Sequence, residues 1–192
     1  MGSYQNASGT HNYLRSADGL TFTTIDAPEA LPGQTFLTGI NNLGQVIGEF
    51  TDSKGTHGFM RSADGKTFTT FDVPGARPYA EPRGINDRGE IVGQRVGGSI
   101  GDGFLRSADG ATYTTISTPW VSATFPAGIN SNGEIVGWAA QGGTAGSERG
   151  FFRSADGAYT AIDVPGATGV THATAINNQG QIVGILASQA AC

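Results

Sequence analysis

Along the chain, short stretches rich in Thr, Ile, Val and Phe alternate with clusters of Gly, Asn, Asp and Pro. A Gly or Pro falls every few residues, which disfavours helix and favours short strands joined by tight turns. The stretches also repeat. Arg-Ser-Ala-Asp-Gly occurs at 15–19, 61–65, 106–110 and 153–157, at spacings of 46, 45 and 47 residues. A second string, Gly/Ala-Ile-Asn-x-x-Gly followed by an Ile/Val pair and Gly, occurs at 39–48, 84–93, 128–137 and 175–184. A third, Ile/Phe-Asp-x-Pro, ends at Pro28, Pro74 and Pro165, with Ser117 in place of Asp before Pro119.

Each unit of about 45 residues predicts four short strands. The first ends in Gly-Ile-Asn, as in Phe125 to Asn130, and a turn such as Asn130-Ser131-Asn132-Gly133 leads to the second, 134–137. The third covers residues such as Gly58 to Ser62. Asp64-Gly65 then marks a tight hairpin into the fourth, Thr67 to Phe71. Proline in Asp72-Val73-Pro74 ends the ladder, because it has no N–H to donate. Apolar residues at both parities, such as Phe104 and Leu105, indicate strands packed on both faces.

A four-stranded meander of this length has the size of one propeller blade. The expected fold is therefore an all-β propeller of four blades in a single domain, 1–192, with units near 11–56, 57–101, 102–148 and 149–192. A β-solenoid is the competing architecture. Gly2 to His11 aligns without gaps on Gly48 to His57, so the chain opens on a second strand; it also finishes on one, Gln181 to Gly184. This predicts a closing blade shared between the two ends, residues 1–10 helping to complete it. The alternatives are a ring of eight blades made by two chains, or an excerpt of a longer array.

The repeat resembles the HAF-type extracellular repeat family of bacterial proteins. The likeness is carried by His57-Gly58-Phe59-Met60, Phe68 to Ala76, and Gly84-Ile85-Asn86-Asp87-Arg88-Gly89-Glu90-Ile91-Val92-Gly93, and extends over nearly the whole chain. It implies a secreted or cell-envelope location and a propeller-like fold, and it brings no catalytic residues with it. Asp102 and Arg149 stand in the third and fourth units where the first two have His11 and His57.

Composition narrows the chemistry. Glycine accounts for 31 of 192 residues, charged residues for only 14%, and the net charge is −5, which leaves no basic footprint for nucleic acid. No apolar run is long enough to span a membrane. Cys192 has no partner in the chain, and Met1-Gly2-Ser3 opens no basic-and-apolar leader, so a secreted form would have lost one. The histidines at 11, 57 and 172 lack metal-ligand spacing, and no acidic calcium loop or phosphate-binding glycine motif is present; no cofactor or metal is expected.

The repeated polar residues read as structural. Asn41, Asn86, Asn130 and Asn177 suit local turns, as do Asp18, Asp64, Asp109 and Asp156. Arg15, Arg61, Arg106 and Arg153 are expected either to pair with Asp26, Asp72 and Asp163 or to form a ring of donors on one rim. Departures from the repeat are the places to look for function. On the first strand, Glu81 and His172 replace Phe36 and Phe125, and Arg83 replaces Thr38, Ala127 and Thr174. If that strand lines an axis, Glu81, Arg83 and His172 meet at a channel mouth, where a carboxylate and an imidazole could exchange protons beside an anion-holding guanidinium. The competing reading is a surface Glu81–Arg83 ion pair beside an unrelated histidine. A second surface comprises Trp120, Trp138, Tyr79, Arg77, Arg95, Phe50 and Tyr4, with aromatic area and polar groups suited to a sugar or peptide.

The leading functional expectation is a non-catalytic, extracellular ligand-binding module, for a glycan or another small molecule, present as a monomer or homodimer. The alternatives are an enzyme acting on a small anionic substrate through Glu81, Arg83 and His172, and a structural repeat module that builds larger rings.

Overall fold

A computed structural model describes residues 1–75, 79–95, 101–140, 147–166 and 169–187. Among them there is no helix, and seventeen strands form five antiparallel sheets. The first sheet comprises β1 (Gly2–Asn6), β2 (Gly9–Arg15) and β3 (Phe22–Thr24). The second holds β4 (Thr35–Ile40), β5 (Val46–Thr51), β6 (Thr56–Arg61) and β7 (Phe68–Phe71). The third holds β8 (Ala80–Ile85), β9 (Ile91–Arg95), β10 (Gly103–Arg106) and β11 (Tyr113–Ile116). The fourth holds β12 (Ala123–Ile129), β13 (Ile135–Ala140), β14 (Arg149–Arg153) and β15 (Tyr159–Ile162), and the fifth only β16 (Val170–Ile176) and β17 (Ile182–Ala187).

The three complete sheets are simple meanders in the strand order predicted from the repeat. Sheet and repeat unit are offset: a unit counted from residue 11 or 57 supplies the outer two strands of one sheet and the inner two of the next. The innermost strands β4, β8, β12 and β16 lie side by side, so the sheets form an arc around them. They approach so closely that a Cβ on Gly84 would stand 3.1 Å from the Gly128 Cα, which explains the glycine before Ile-Asn. The first and last sheets are not hydrogen-bonded into one sheet.

The core is divided among the sheet-to-sheet interfaces. Ile47, Phe71 and Val73 of the second sheet pack on Ala80, Ile85, Ile91 and Phe104 of the third. One step on, Val92 and Ile116 meet Ile129, Ile135, Ala139 and Phe151. Between the first and second sheets Ala27 covers Phe50 and Phe59. The Ile/Val pair of each repeat thus serves two interfaces, one residue facing each neighbouring sheet, because adjacent strand residues point to opposite faces.

Two polar networks explain the repeated strings. In the Gly-Ile-Asn turn, Asn86 Oδ1 accepts from the Arg88 and Glu90 amides at 3.0 Å each, closing the local turn that the sequence predicts. Its Nδ2 also donates across to the Asn130 carbonyl at 3.0 Å, in the next sheet. Asn41 reaches the Asn86 carbonyl and Asn130 the Asn177 carbonyl in the same way, so the asparagines form rungs that tie successive sheets at the inner rim. In the Ser-Ala-Asp-Gly hairpin, Ser62 Oγ donates to Asp64 Oδ1 at 2.6 Å and accepts from the Thr67 amide, while Gly65 takes the positive φ of 75° that the turn requires. The Ser62 hydrogen bond, and next that of the Lys66 amide at 3.1 Å, hold Asp64 below the usual carboxylate range.

The preceding arginines do not pair with Asp26, Asp72 and Asp163 as one expectation had it. Each folds back over its own hairpin glycine, and Arg106 also lies 4.9 Å above the Phe71 ring. The aspartates are taken instead by the residue that varies at the start of the third strand. His11 Nδ1 meets Asp26, and His57 Nδ1 meets Asp72, both at 2.7 Å, while Arg149 pairs with Asp163. Where Ser117 replaces the aspartate, Asp102 turns to Arg95 at 3.1 Å. The substitutions that break the repeat here compensate one another.

His57 is the most enclosed of these clasps, with Asp52 on its other nitrogen at 3.1 Å. Burial disfavours its charge, but the hydrogen bonds and charge of Asp72, then of Asp52, outweigh that and raise its pKa above the ordinary value. A raised folded-state pKa contributes stability that is fully present below the unfolded value near 6.5 and is lost as pH rises through the folded value. His57→Asn is therefore expected to lower stability by about 1 kcal/mol or more at pH 5.5, and by less at pH 9. Denaturant titrations at the two pH values check this; an equal loss at both would show that packing alone is involved.

Candidate functional site

The inner wall of the arc is built from the first two strands of each sheet. Near the start of the first strand stand Phe36, Glu81, Phe125 and His172, and directly across from them on the second strand stand Glu49, Gln94, Trp138 and Ile185. The first strand then carries a bulge: the register skips Thr38, Arg83, Ala127 and Thr174. A bulge kinks the strand and re-aims its extra side chain. At that position Arg83 turns back onto Glu81, with Nη2 donating to Oε2 at 2.5 Å.

Glu81 is the more enclosed partner, and its carboxylate beside the Tyr79 hydroxyl holds Tyr79 above its usual pKa. Glu49, from the second sheet, faces this group. Burial, and next the charge of Glu81, push the Glu49 carboxyl up to about 7, against a smaller opposing pull from Arg83. Its Oε2 is buried without a hydrogen-bond partner among the described residues. Phe36, opposite Glu49 in the ladder, is 47% exposed. Two carboxylates, one guanidinium, one phenol and an open ring therefore share one part of the wall.

Further along, Trp138 stacks on His172 with ring centroids 4.6 Å apart and on Phe125 at 5.5 Å. His172 Nε2 is likewise buried without a partner. The structure thus brings Glu81 and Arg83 together and places His172 two sheets away, against Trp138 rather than beside the carboxylate. Trp138 lies within β13, one residue beyond the 134–137 expected for the second strand.

The other candidates scatter. Phe50 is 1% exposed and its ring belongs to the core, against Phe59 and His57. Arg95 is held by Asp102. Trp120 meets the edge of Tyr159 at 6.2 Å, where the third and fourth sheets adjoin. Tyr4 sits on the first sheet, hydrogen-bonded to Thr24 at 2.9 Å. Arg77 and Cys192 lie outside the described residues. Glu49 was missed, although the rule that found Glu81 and His172 would have found it: at that position of the second strand the four units read Glu49, Gln94, Trp138 and Ile185.

At the opposite rim a second recess of about 330 Å³ is bounded by the Gly-Ile-Asn turns. Asp87 accepts there from the Asn42 amide and side chain at 2.9 Å each and from Ser131 at 3.4 Å. These donors lower its pKa, Asn42 first. Among the described residues no group of His, Cys, Asp and Glu has a metal-holding arrangement.

No family model matches the sequence, and no curated protein matches it. Solved structures do match its shape. TolB from Acinetobacter baumannii superposes with a TM-score of 0.70 at 10% identity, over 98% of this chain and 47% of that one. A catalytically inactive H270A virginiamycin B lyase from Staphylococcus aureus with quinupristin gives 0.53 at 15% identity, over 98% and 70%. A protein of the nidogen/laminin complex gives 0.52 at 10% identity, over 88% and 63%. These likenesses show a fold of the propeller type. The chain spans about half the length of TolB.

Proposed function

We propose that this chain is a non-catalytic binding module that takes a neutral carbohydrate on the inner wall of the arc, in a secreted or cell-envelope protein of the HAF-repeat kind. The observation that carries the reading is the wall itself: Glu49 and Glu81 offer acceptors, Arg83 and Tyr79 offer donors, and Phe36 presents an exposed ring beside them. Sugars need that combination, a flat apolar face under the ring and charged hydrogen-bonding groups at its rim. The unpartnered Glu49 oxygen fits a ligand hydroxyl, because buried polar atoms are ordinarily hydrogen-bonded.

A glycan array followed by calorimetry tests this. Phe36→Ala and Glu81→Gln are each expected to weaken a bound glycan about 10-fold or more, while Trp120→Ala leaves it unchanged. A glycan whose affinity follows Trp120 instead would move the site to the outer surface, and the absence of any saturable glycan would remove the carbohydrate reading.

One observation favours a second reading, an acid–base enzyme. A carboxyl near 7 is suited to proton transfer at neutral pH, and Glu49 has one within the field of Glu81 and Arg83. On that reading Glu49 replaces His172 as the titrating group. Turnover unchanged in both Glu49→Gln and Glu81→Gln would discard it.

A further inference from the structure

Each interior sheet-to-sheet interface has the same parts, and the two ends of the arc carry those parts unmatched. Within the arc, the second residue of the Ile/Val pair packs on the isoleucine of the next sheet's innermost strand: Ile47 on Ile85, Val92 on Ile129. The corresponding residue of the last sheet, Val183, is 62% exposed, and the corresponding isoleucine of the second sheet, Ile40, is 43% exposed. Within the arc, Trp138 covers His172 of the following sheet. Its counterpart Ile185 and the counterpart of His172 at the other end, Phe36, are both exposed.

The outer strands show the same complementarity. Val73 after β7 is buried with Phe104 of the following third strand. Val164, the equivalent after β15, is 42% exposed, and the fifth sheet has no third strand among the described residues. The first sheet has the missing pair, β2 and β3, whose Tyr13 and Phe22 correspond to Phe59 and Phe68. With Tyr4 they line an open groove of about 430 Å³. The inner rim agrees: among the described residues the side-chain amide of Asn177, the last rung, donates only within its own turn, to Gln181.

We infer that a second copy of this chain docks head to tail on these ends, so that β16 and β17 of one copy and β2 and β3 of the other make one four-stranded blade. The interface is a continuation of the sheet-to-sheet interface already present within the arc, with Val183 on Ile40 of the second copy, Ile185 on Phe36, and Tyr13 and Phe22 covering Val164. β17 takes the place of β1, and the register carries over, since β1 places Gly2 opposite Tyr13 just as β5 places Gly48 opposite Phe59. β1 is the strand to yield, because four of its five side chains are exposed. Applied twice, the contact closes a ring with two-fold symmetry and leaves only the short edges that each blade keeps.

Light scattering after size exclusion, at concentrations up to about 100 µM, reads the result. The expected mass is twice the 19.7 kDa of one chain. Val183→Asp and Ile40→Asp, both at exposed positions that the single chain tolerates, are each expected to give the single-chain mass with an unchanged β-sheet circular dichroism spectrum. Mixing the two variants restores a two-chain species, since each retains the surface the other lacks. A wild-type mass of one chain overturns the inference, whether the arc stays open or closes on itself, and so does a ladder of higher masses. Two-chain species persisting in both variants would overturn the assigned contact. Both results read Val183 and Ile40, which the proposed glycan site does not use; Phe36 belongs to both surfaces, so the glycan affinity of Phe36→Ala is compared in the single-chain Val183→Asp background.

Discussion

Replacing Glu49 by Gln is expected to stabilise the protein at pH 8 and to leave its stability nearly unchanged at pH 4. The carboxyl is pushed up to about 7 from an ordinary 4.5 by burial and by the charge of Glu81. Below 4.5 it is protonated in both the folded and unfolded states, and Gln has nearly the same shape and polarity as that neutral form. Above 7 the folded protein must hold a charge that burial disfavours, and the unfolded chain releases its proton far more easily. The sign is that of any raised carboxyl: its contribution is fully present at low pH and is lost as pH rises through the folded value. The full difference would be about 3 kcal/mol, but solvent reaches part of the group, and about 1–2 kcal/mol is the expected gain at pH 8. Urea unfolding of both proteins at pH 4, 6 and 8 reads it directly. A gain at pH 4 equal to that at pH 8 would mean that the effect is one of packing. The position is one where the fold gives up stability to keep a carboxylate, the usual mark of a residue retained for binding or chemistry.

Glu49 also shows where sequence reasoning runs short. The repeat made the strands and turns legible: the turn at Asn130 to Gly133, the hairpin at Asp64-Gly65 and the stop at Pro74 stand where the residues put them. Strand parity alone was enough to bring Glu81 and Arg83 together, although a bulge it did not foresee sets the contact. Distances between sheets were not legible, because a repeat gives the period and not the arc. His172 follows Glu81 by two periods and lies two sheets away, while Glu49, one period before Gln94 on a different strand, faces Glu81. Nor does a period reveal side-chain competition. Asp72 had both Arg61 and His57 as candidate partners, and the short, rigid imidazole took it while the arginine folded over Gly65.

The asparagine rungs predict a gradient of effects across identical residues. Asn86→Ala is expected to cost about 3 kcal/mol, enough to unfold a marginal domain, whereas Asn177→Ala costs under about 1 kcal/mol. Asn86 is buried and every polar atom of its side chain is in use: Oδ1 accepts two amides of its own turn, and Nδ2 donates to Glu90 at 2.6 Å and to the Asn130 carbonyl at 3.0 Å. Alanine leaves two amides and a carbonyl short of partners at the point where neighbouring inner strands approach most closely. Asn177 makes the same turn but is exposed, and its Nδ2 meets only Gln181. Water replaces what alanine removes there. Asn86→Asp discriminates further. It keeps the two acceptor bonds, so with Glu90 of the same turn also changed to Gln a turn-only role predicts near-normal stability. In that Glu90→Gln background the new carboxylate still faces the Asn130 carbonyl and is repelled by it, so the rung predicts a loss at pH 7 at least as large as that of alanine, partly recovered at pH 4 when the acid is protonated. Thermal unfolding of the three variants at both pH values separates the cases: equal losses at positions 86 and 177 would reduce the rungs to local turns, and the expected gradient makes them the ties that hold one sheet to the next.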